Sequence, residues 1–125
     1  MERKQVGSKK ILICDDDEGI LDVLELILEE TGHTVIPEIN SLNVRAVLDK
    51  QQPDLVILDL WMPVLSGDQI LQMIRSTPAY QDLPVIIISA SRDGEQIASE
   101  HSASAFIAKP FDYDNLLAVV DKLIN

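Results

Sequence analysis

Apolar residues follow two different rhythms along this chain. Ile11-Leu12-Ile13-Cys14, Leu55-Val56-Ile57-Leu58 and Val85-Ile86-Ile87-Ile88 are unbroken apolar runs, and Ala105 to Ala108 is a shorter one. Such runs, closed off by acids or turn residues, are what a parallel strand covered on both faces requires. A weaker strand is predicted from His33 to Ile39. Pro37 inside it points to a sheet edge, where a missing amide donor is tolerated.

Between these runs the spacing turns helical. Ile20, Leu21, Leu24, Ile27 and Leu28 predict a helix to about Thr31, with Gly32 suited to its stop. Ser41 is placed to cap a second helix over 42–51, with Val44, Val47 and Leu48 inward. Pro53 resets the chain into a central strand over 54–59. A third helix is predicted over 67–76 on Ile70, Leu71 and Ile74. Residues 92–104 offer one large aliphatic, Ile97, so any helix there is expected to be short and poorly anchored. Asp112 can cap a last helix striped by Tyr113, Leu116, Leu117, Val120, Leu123 and Ile124. Five strands alternating with five helical segments call for right-handed βαβ crossovers, an α/β fold with a parallel sheet between two helical layers. The expected division is a flexible tail over 1–8 and one domain over 9–125.

Composition narrows the function. A net charge of −11 disfavours nucleic acid or an anionic membrane as a direct partner. No apolar run approaches the roughly 20 residues needed to span a bilayer, and no apolar signal region follows the basic start. Cys14 is the single cysteine, so no internal disulfide forms and a reducing, cytoplasmic setting is expected; it reads as a small core residue.

The chemistry is expected at the carboxyl ends of the strands, where open α/β sheets bind their ligands. Those ends deliver Asp15-Asp16-Asp17, Asp59, Ser89 and Lys109. Carboxylates converging on one spot repel each other and raise one another's pKa unless a cation intervenes. Mg²⁺ takes oxygen ligands from one or two carboxylates while keeping waters for a phosphoryl group. A hydroxyl and an ammonium nearby would bind anionic oxygens. The set looks built for phosphoryl transfer, with a carboxylate as the nucleophile. Singly, Ser89 could be a strand-end residue and Lys109 a surface lysine; it is the combination that points to a site.

With those residues in view, the chain resembles a response-regulator receiver domain over essentially all of 9–125. The resemblance rests on Ile-Leu-Ile-Cys-Asp-Asp-Asp at 11–17, Asp59-Leu-Trp-Met-Pro with Gly67 beyond, Ile-Ser-Ala at 88–90, and Lys109-Pro110-Phe111. It implies a flavodoxin-like, doubly wound five-stranded parallel sheet of order 2-1-3-4-5. It also implies that Asp59 is the phosphoacceptor, served by a histidine kinase or a histidine phosphotransfer protein, and that a downstream output protein or domain responds. By the same resemblance Asp16, Asp59 and the backbone carbonyl of Trp61 would hold Mg²⁺ directly, with Asp15 acting through water. Ser89 and Lys109 would meet the phosphoryl group, Phe106 would be the aromatic switch residue, and the Lys109–Pro110 bond would be cis. Asp17 falls outside the metal set and reads as a first-turn helix acid.

Three other functions are weighed. A flavodoxin-type electron carrier would need a loop able to cradle a flavin phosphate, and Asp-Asp-Asp-Glu at 15–18 would repel it. A haloacid-dehalogenase-type phosphatase needs a second acid two residues after its nucleophile, where this chain has Trp61. A phosphorylation-independent receiver-like interaction module would be expected to lack a site residue, and none is missing. The interval from Ser89 to Lys109 is slightly short for the family, which puts its usual output face in doubt here. The bulky Trp61 is expected to shield an acyl phosphate from water.

Overall fold

The computed structural model describes residues 8–124. The tail expected over 1–8 lies outside them, apart from the exposed Ser8. In chain order the elements are β1 (Lys10–Cys14), α1 (Glu18–Glu29), β2 (Thr34–Glu38), α2 (Val44–Gln51), β3 (Leu55–Asp59), α3 (Gly67–Ser76), β4 (Val85–Ser89), α4 (Gly94–Glu100), β5 (Ala105–Ala108) and α5 (Tyr113–Ile124). All pairings are parallel, and the strand order is β2-β1-β3-β4-β5. This is the doubly wound, flavodoxin-like arrangement.

Alternation along each strand sends successive side chains to opposite faces, so an unbroken apolar run feeds two cores at once. Leu12, Cys14, Val56, Leu58, Val85 and Ile87 meet Val44 and Leu48 of α2, Ile70, Leu71 and Ile74 of α3, and Ala98 of α4. Ile11, Ile13, Leu55, Ile57, Ile86, Ile88 and Ile107 meet Leu21, Leu24 and Leu28 of α1 and Leu116 and Val120 of α5. Each fully buried Leu or Ile contributes roughly 1.5–3 kcal/mol, which makes the strand order and register hard to alter. β2 is an edge strand, with Pro37 opposite Ile13.

Local details differ from expectation at three helix starts and one end. Asp17 lies just outside α1 as its N-cap, its carboxylate accepting from the Gly19 and Ile20 amides at 2.9 and 3.2 Å, so the first-turn acid is Glu18. α1 ends at Glu29, two residues before Thr31, and the turn passes through Gly32 at φ +84°. Asn40, not Ser41, caps the 3₁₀ turn Ser41–Asn43 that leads into α2, accepting from the Leu42 amide at 3.0 Å. Ser41 is buried instead, its hydroxyl donating to the Pro63 carbonyl at 3.4 Å. α4 is short as expected, at seven residues, yet it is anchored by buried Gly94 and Ala98. Tyr113 is exposed at the start of α5, while Asp112 accepts from the Asn115 amide at 2.8 Å.

Candidate functional site

Sheet register dictates what meets at the carboxyl edge. Cys14 pairs with Leu58, so Asp15 emerges level with Asp59; Asp59 pairs with Ile88, and Ser89 with Ala108, which delivers Lys109 next. Asp15, Asp59 and Ser89 are all buried. Their neighbours hold them firmly. The Asp17 amide donates to Asp15 Oδ1 at 2.9 Å, and the Lys109 amide to the Ser89 carbonyl at 3.0 Å. The Lys109–Pro110 bond is cis, as expected.

Lys109 is shared between two acids. Its Nζ donates to Asp59 Oδ1 at 2.8 Å and to Asp15 Oδ2 at 3.0 Å. Asp15, Asp16 and Asp59 each offer a carboxylate oxygen, and these oxygens lie within 4.8 Å of one another. Among the described residues this is the one group of three possible ligands so close together. Asp16 is the exposed member, leaving the cluster open to solvent on one side. Three oxygen donors in this arrangement can hold a metal ion, and the donor type suits a hard divalent cation.

Burial pushes the Asp59 carboxyl above the usual carboxylate range; the Lys109 hydrogen bond opposes this, and the charge on Asp15 adds to it. For Lys109, burial disfavours the ammonium, but the bonds to Asp59 and Asp15 outweigh it and raise its pKa. Beneath the acids, Cys14 Sγ is 3.7 Å from Met62 Sδ. Burial pushes the Cys14 thiol up to about 12, with acidic neighbours led by Glu38 reinforcing the effect, so this sulfur stays a protonated core atom.

The Ser89 hydroxyl is engaged by its own loop. Its Oγ accepts from the Ser91 amide at 3.0 Å. Phe106 is half-buried on β5 and packs against the core that lies under α2, α3 and α4. Trp61 is 54 % exposed, two residues past Asp59, while Met62 beside it is buried and pins the loop.

Gly67, read in sequence as part of the motif beyond Asp59, has a steric role at the site. A Cβ on Gly67 would lie 2.3 Å from the Asp59 carbonyl oxygen, far inside any real contact. The absent side chain lets α3 start directly against the end of β3, with the Gly67 amide donating to the Leu60 carbonyl at 2.8 Å. Gln69 Oε1 accepts from the Ser66 amide at 2.9 Å and helps close that loop. The sequence sign was a glycine at a helix start, a place where a helix gains nothing from glycine itself.

Against this geometry, the sequence matches the response regulator receiver domain family over residues 11–121. The chain belongs to that family. As a receiver domain it is 32% identical over 117 residues to the DNA-binding dual master transcriptional regulator RpaA of a Synechocystis species, covering 92% of this chain and 48% of that protein. The chain thus spans about half the length of such relatives. Over 119 residues it is also 32% identical to sporulation initiation phosphotransferase F of Bacillus subtilis, covering 94% of each. Among solved structures, a response regulator receiver domain protein from Clostridium thermocellum superposes with a TM-score of 0.84 at 30% identity, covering 94% of each chain. Receiver domains are signalling domains of two-component systems, in which response regulators partner histidine kinases and output domains. None of the described helices is long and apolar enough to cross a membrane.

Proposed function

We propose that this receiver domain takes a phosphoryl group onto Asp59 from the phosphohistidine of a histidine kinase or histidine phosphotransfer protein, in a Mg²⁺-dependent reaction, and switches conformation to control a downstream partner. The observation that carries this is the shared ammonium: two buried carboxylates, from the ends of β1 and β3, both bonded to Lys109 beside a third acid. The relative named as a phosphotransferase, matched over 94% of its length, supports the same reading.

Asp15, Asp16 and Asp59, with the Trp61 carbonyl, would hold Mg²⁺, Asp15 through water. Bound there, the ion would supply positive charge to the phosphoryl oxygens. Asp59 is the nucleophile: a carboxylate oxygen attacks phosphorus in line, a P–O bond forms, and the P–N bond to the donor imidazole breaks. The imidazole leaves with the bonding pair and takes up a proton. Lys109 turns from the Asp59 carboxylate to a phosphoryl oxygen. Ser89 turns its hydroxyl from the Ser91 amide to another phosphoryl oxygen and donates to it. No acid stands two residues beyond Asp59, so the domain transfers and hydrolyses its own phosphoryl group rather than turning over external phosphoesters.

Moving a two-state population from 1:99 to 99:1 takes about 5.5 kcal/mol of differential stabilisation. Charge-assisted hydrogen bonds at roughly 1.5–3 kcal/mol each, made by Ser89 and Lys109 to a dianionic group, supply an amount of this order. Phe106 is the residue we assign to relay that change. A setting in the cytoplasm, where phosphohistidine donors act, goes with this function. The test is incubation with acetyl phosphate and Mg²⁺ followed by intact-protein mass spectrometry. Wild type is expected to gain the mass of one phosphoryl group and Asp59→Asn none; a gain retained in Asp59→Asn would move the acceptor elsewhere.

A further inference from the structure

Gly94 opens α4 and is buried. Its φ lies outside the left-handed region, where among the described glycines only Gly32 is found, so backbone conformation does not call for glycine here. Space accounts for its presence. A Cβ at this position would lie 3.0 Å from Ser89 Cβ, 3.0 Å from Phe106 Cε1 and 3.1 Å from Phe106 Cζ. Ser89 and the Phe106 ring therefore close in on the spot a methyl would take, leaving less room than a methyl needs, and only glycine fits without displacing them.

The two neighbours differ in how far they can give way. Ser89 is buried at the end of β4, its Oγ engaged by the Ser91 amide and its carbonyl by the Lys109 amide. Phe106 is half-buried beside a small groove of about 210 Å³ lined by Glu95, Ala98, Ser99, Ala103 and Ala105. A methyl at 94 would push the ring toward that groove and restrict rotation of the Ser89 side chain about Cα–Cβ.

We propose that Gly94 is a positioning residue for phosphoryl transfer at Asp59. By staying empty, it lets the Phe106 ring lie close to Ser89 and leaves the Ser89 hydroxyl room to turn toward the phosphoryl group. This rests on the phosphoacceptor reading above.

The experiment combines Gly94→Ala, Phe106→Ala and the double variant. Phosphoryl uptake from acetyl phosphate with Mg²⁺ gives the rates, and nuclear Overhauser contacts between the Phe106 ring and Ser89 are recorded on metal-free protein. Displacing a reacting group by about 1 Å costs about a hundredfold in rate, so a shift of a few tenths of an ångström in Gly94→Ala is expected to slow uptake about three- to tenfold. The ring contact to Ser89 is expected to weaken in the same variant. In the Phe106→Ala background α4 has room to lift off Ser89, so adding Gly94→Ala should change the rate by less than about twofold. Wild-type rate with the ring contact intact in Gly94→Ala overturns the inference, and so does an equal loss in both backgrounds. If Gly94→Ala alone does not fold, Phe106→Ala against the double variant decides: equal rates support the inference, a further loss overturns it. Absence of uptake by wild type would instead sink the phosphoacceptor reading, while the Overhauser contacts still report whether Gly94 seats the ring.

Discussion

Replacing Asp59 by Asn, which removes the acceptor proposed above, is expected to stabilise the metal-free protein at neutral pH. The Lys109 ammonium is 2.8 Å from Asp59 Oδ1, an attraction of about 6 kcal/mol at an effective dielectric of 20. Against it stand Asp15 and Asp16, whose oxygens lie within 4.8 Å, each a repulsion of about 3.5 kcal/mol on the same scale. Solvent weakens the share of the exposed Asp16, so attraction and repulsion come close to balance. Desolvation then decides, because burying a carboxylate costs several kcal/mol. Asn keeps the shape and an acceptor for Lys109 without that charge, and Lys109 keeps its bond to Asp15. The expected gain is about 1–3 kcal/mol. Burial holds the Asp59 carboxyl above the usual range, so native protein takes up this proton before the unfolded chain does. The advantage of Asn is therefore full where Asp59 is ionised and shrinks as pH falls through that raised pKa. Urea denaturation followed by circular dichroism, with chelator and then with Mg²⁺, measures it. A ligand at ten times its Kd adds about 1.4 kcal/mol to the state that binds it, so Mg²⁺ should narrow the gap by stabilising wild type more than the variant. An Asn variant less stable than wild type in chelator at pH 7 would refute the reasoning, since the Lys109 pairing would then outweigh both desolvation and repulsion.

Other substitutions probe the supports of the site. Gly67→Ala, which sets a methyl carbon 2.3 Å from the Asp59 carbonyl oxygen, is expected to cost roughly 1–3 kcal/mol or more in urea denaturation and to slow phosphoryl uptake. Arg75 donates to the carbonyls of Ser102, Gln81 and Leu83 and to Ser104 Oγ, tying the end of α3 to the segments on either side of β4. Its loss in Arg75→Ala is expected to destabilise by about 2 kcal/mol and to speed hydrogen exchange in α4, with unchanged exchange there counting against the tie. Trp61→Ala is expected to shorten the lifetime of the phosphorylated form, read by the decay of its mass; an unchanged decay rate would mean that the exposed indole does not shield the group.

The layers and strand order were readable because the central runs are apolar at every position, a pattern that only a sheet covered on both faces accommodates. Pro37 marked its own strand as an edge for the same kind of reason, the lack of an amide donor. The candidate site was readable because Asp15, Asp59, Ser89 and Lys109 each lie at or directly after a strand end, so the register alone brings Asp15, Asp59 and Lys109 together. Capping was harder to place. Asn40 and Ser41 are both good caps by residue type, and the choice fell to Asn40 because the Ser41 hydroxyl faces the Pro63 carbonyl, a contact 22 residues away in sequence. Asp17 was misplaced by one position because helix acids and N-caps carry the same side chain at adjacent sites. The roles of Gly67 and Gly94 lay beyond sequence, since each depends on what a missing side chain would have struck.

The most direct test is the location of the acyl phosphate. Borohydride reduces an aspartyl phosphate to homoserine, and peptide mass mapping then shows which position was modified. After treatment with acetyl phosphate and Mg²⁺, homoserine is expected at position 59 in wild type and nowhere in Asp59→Asn. Homoserine at Asp15 or Asp16 instead, or none at all in folded wild-type protein, would contradict the assignment of Asp59 as the phosphoacceptor.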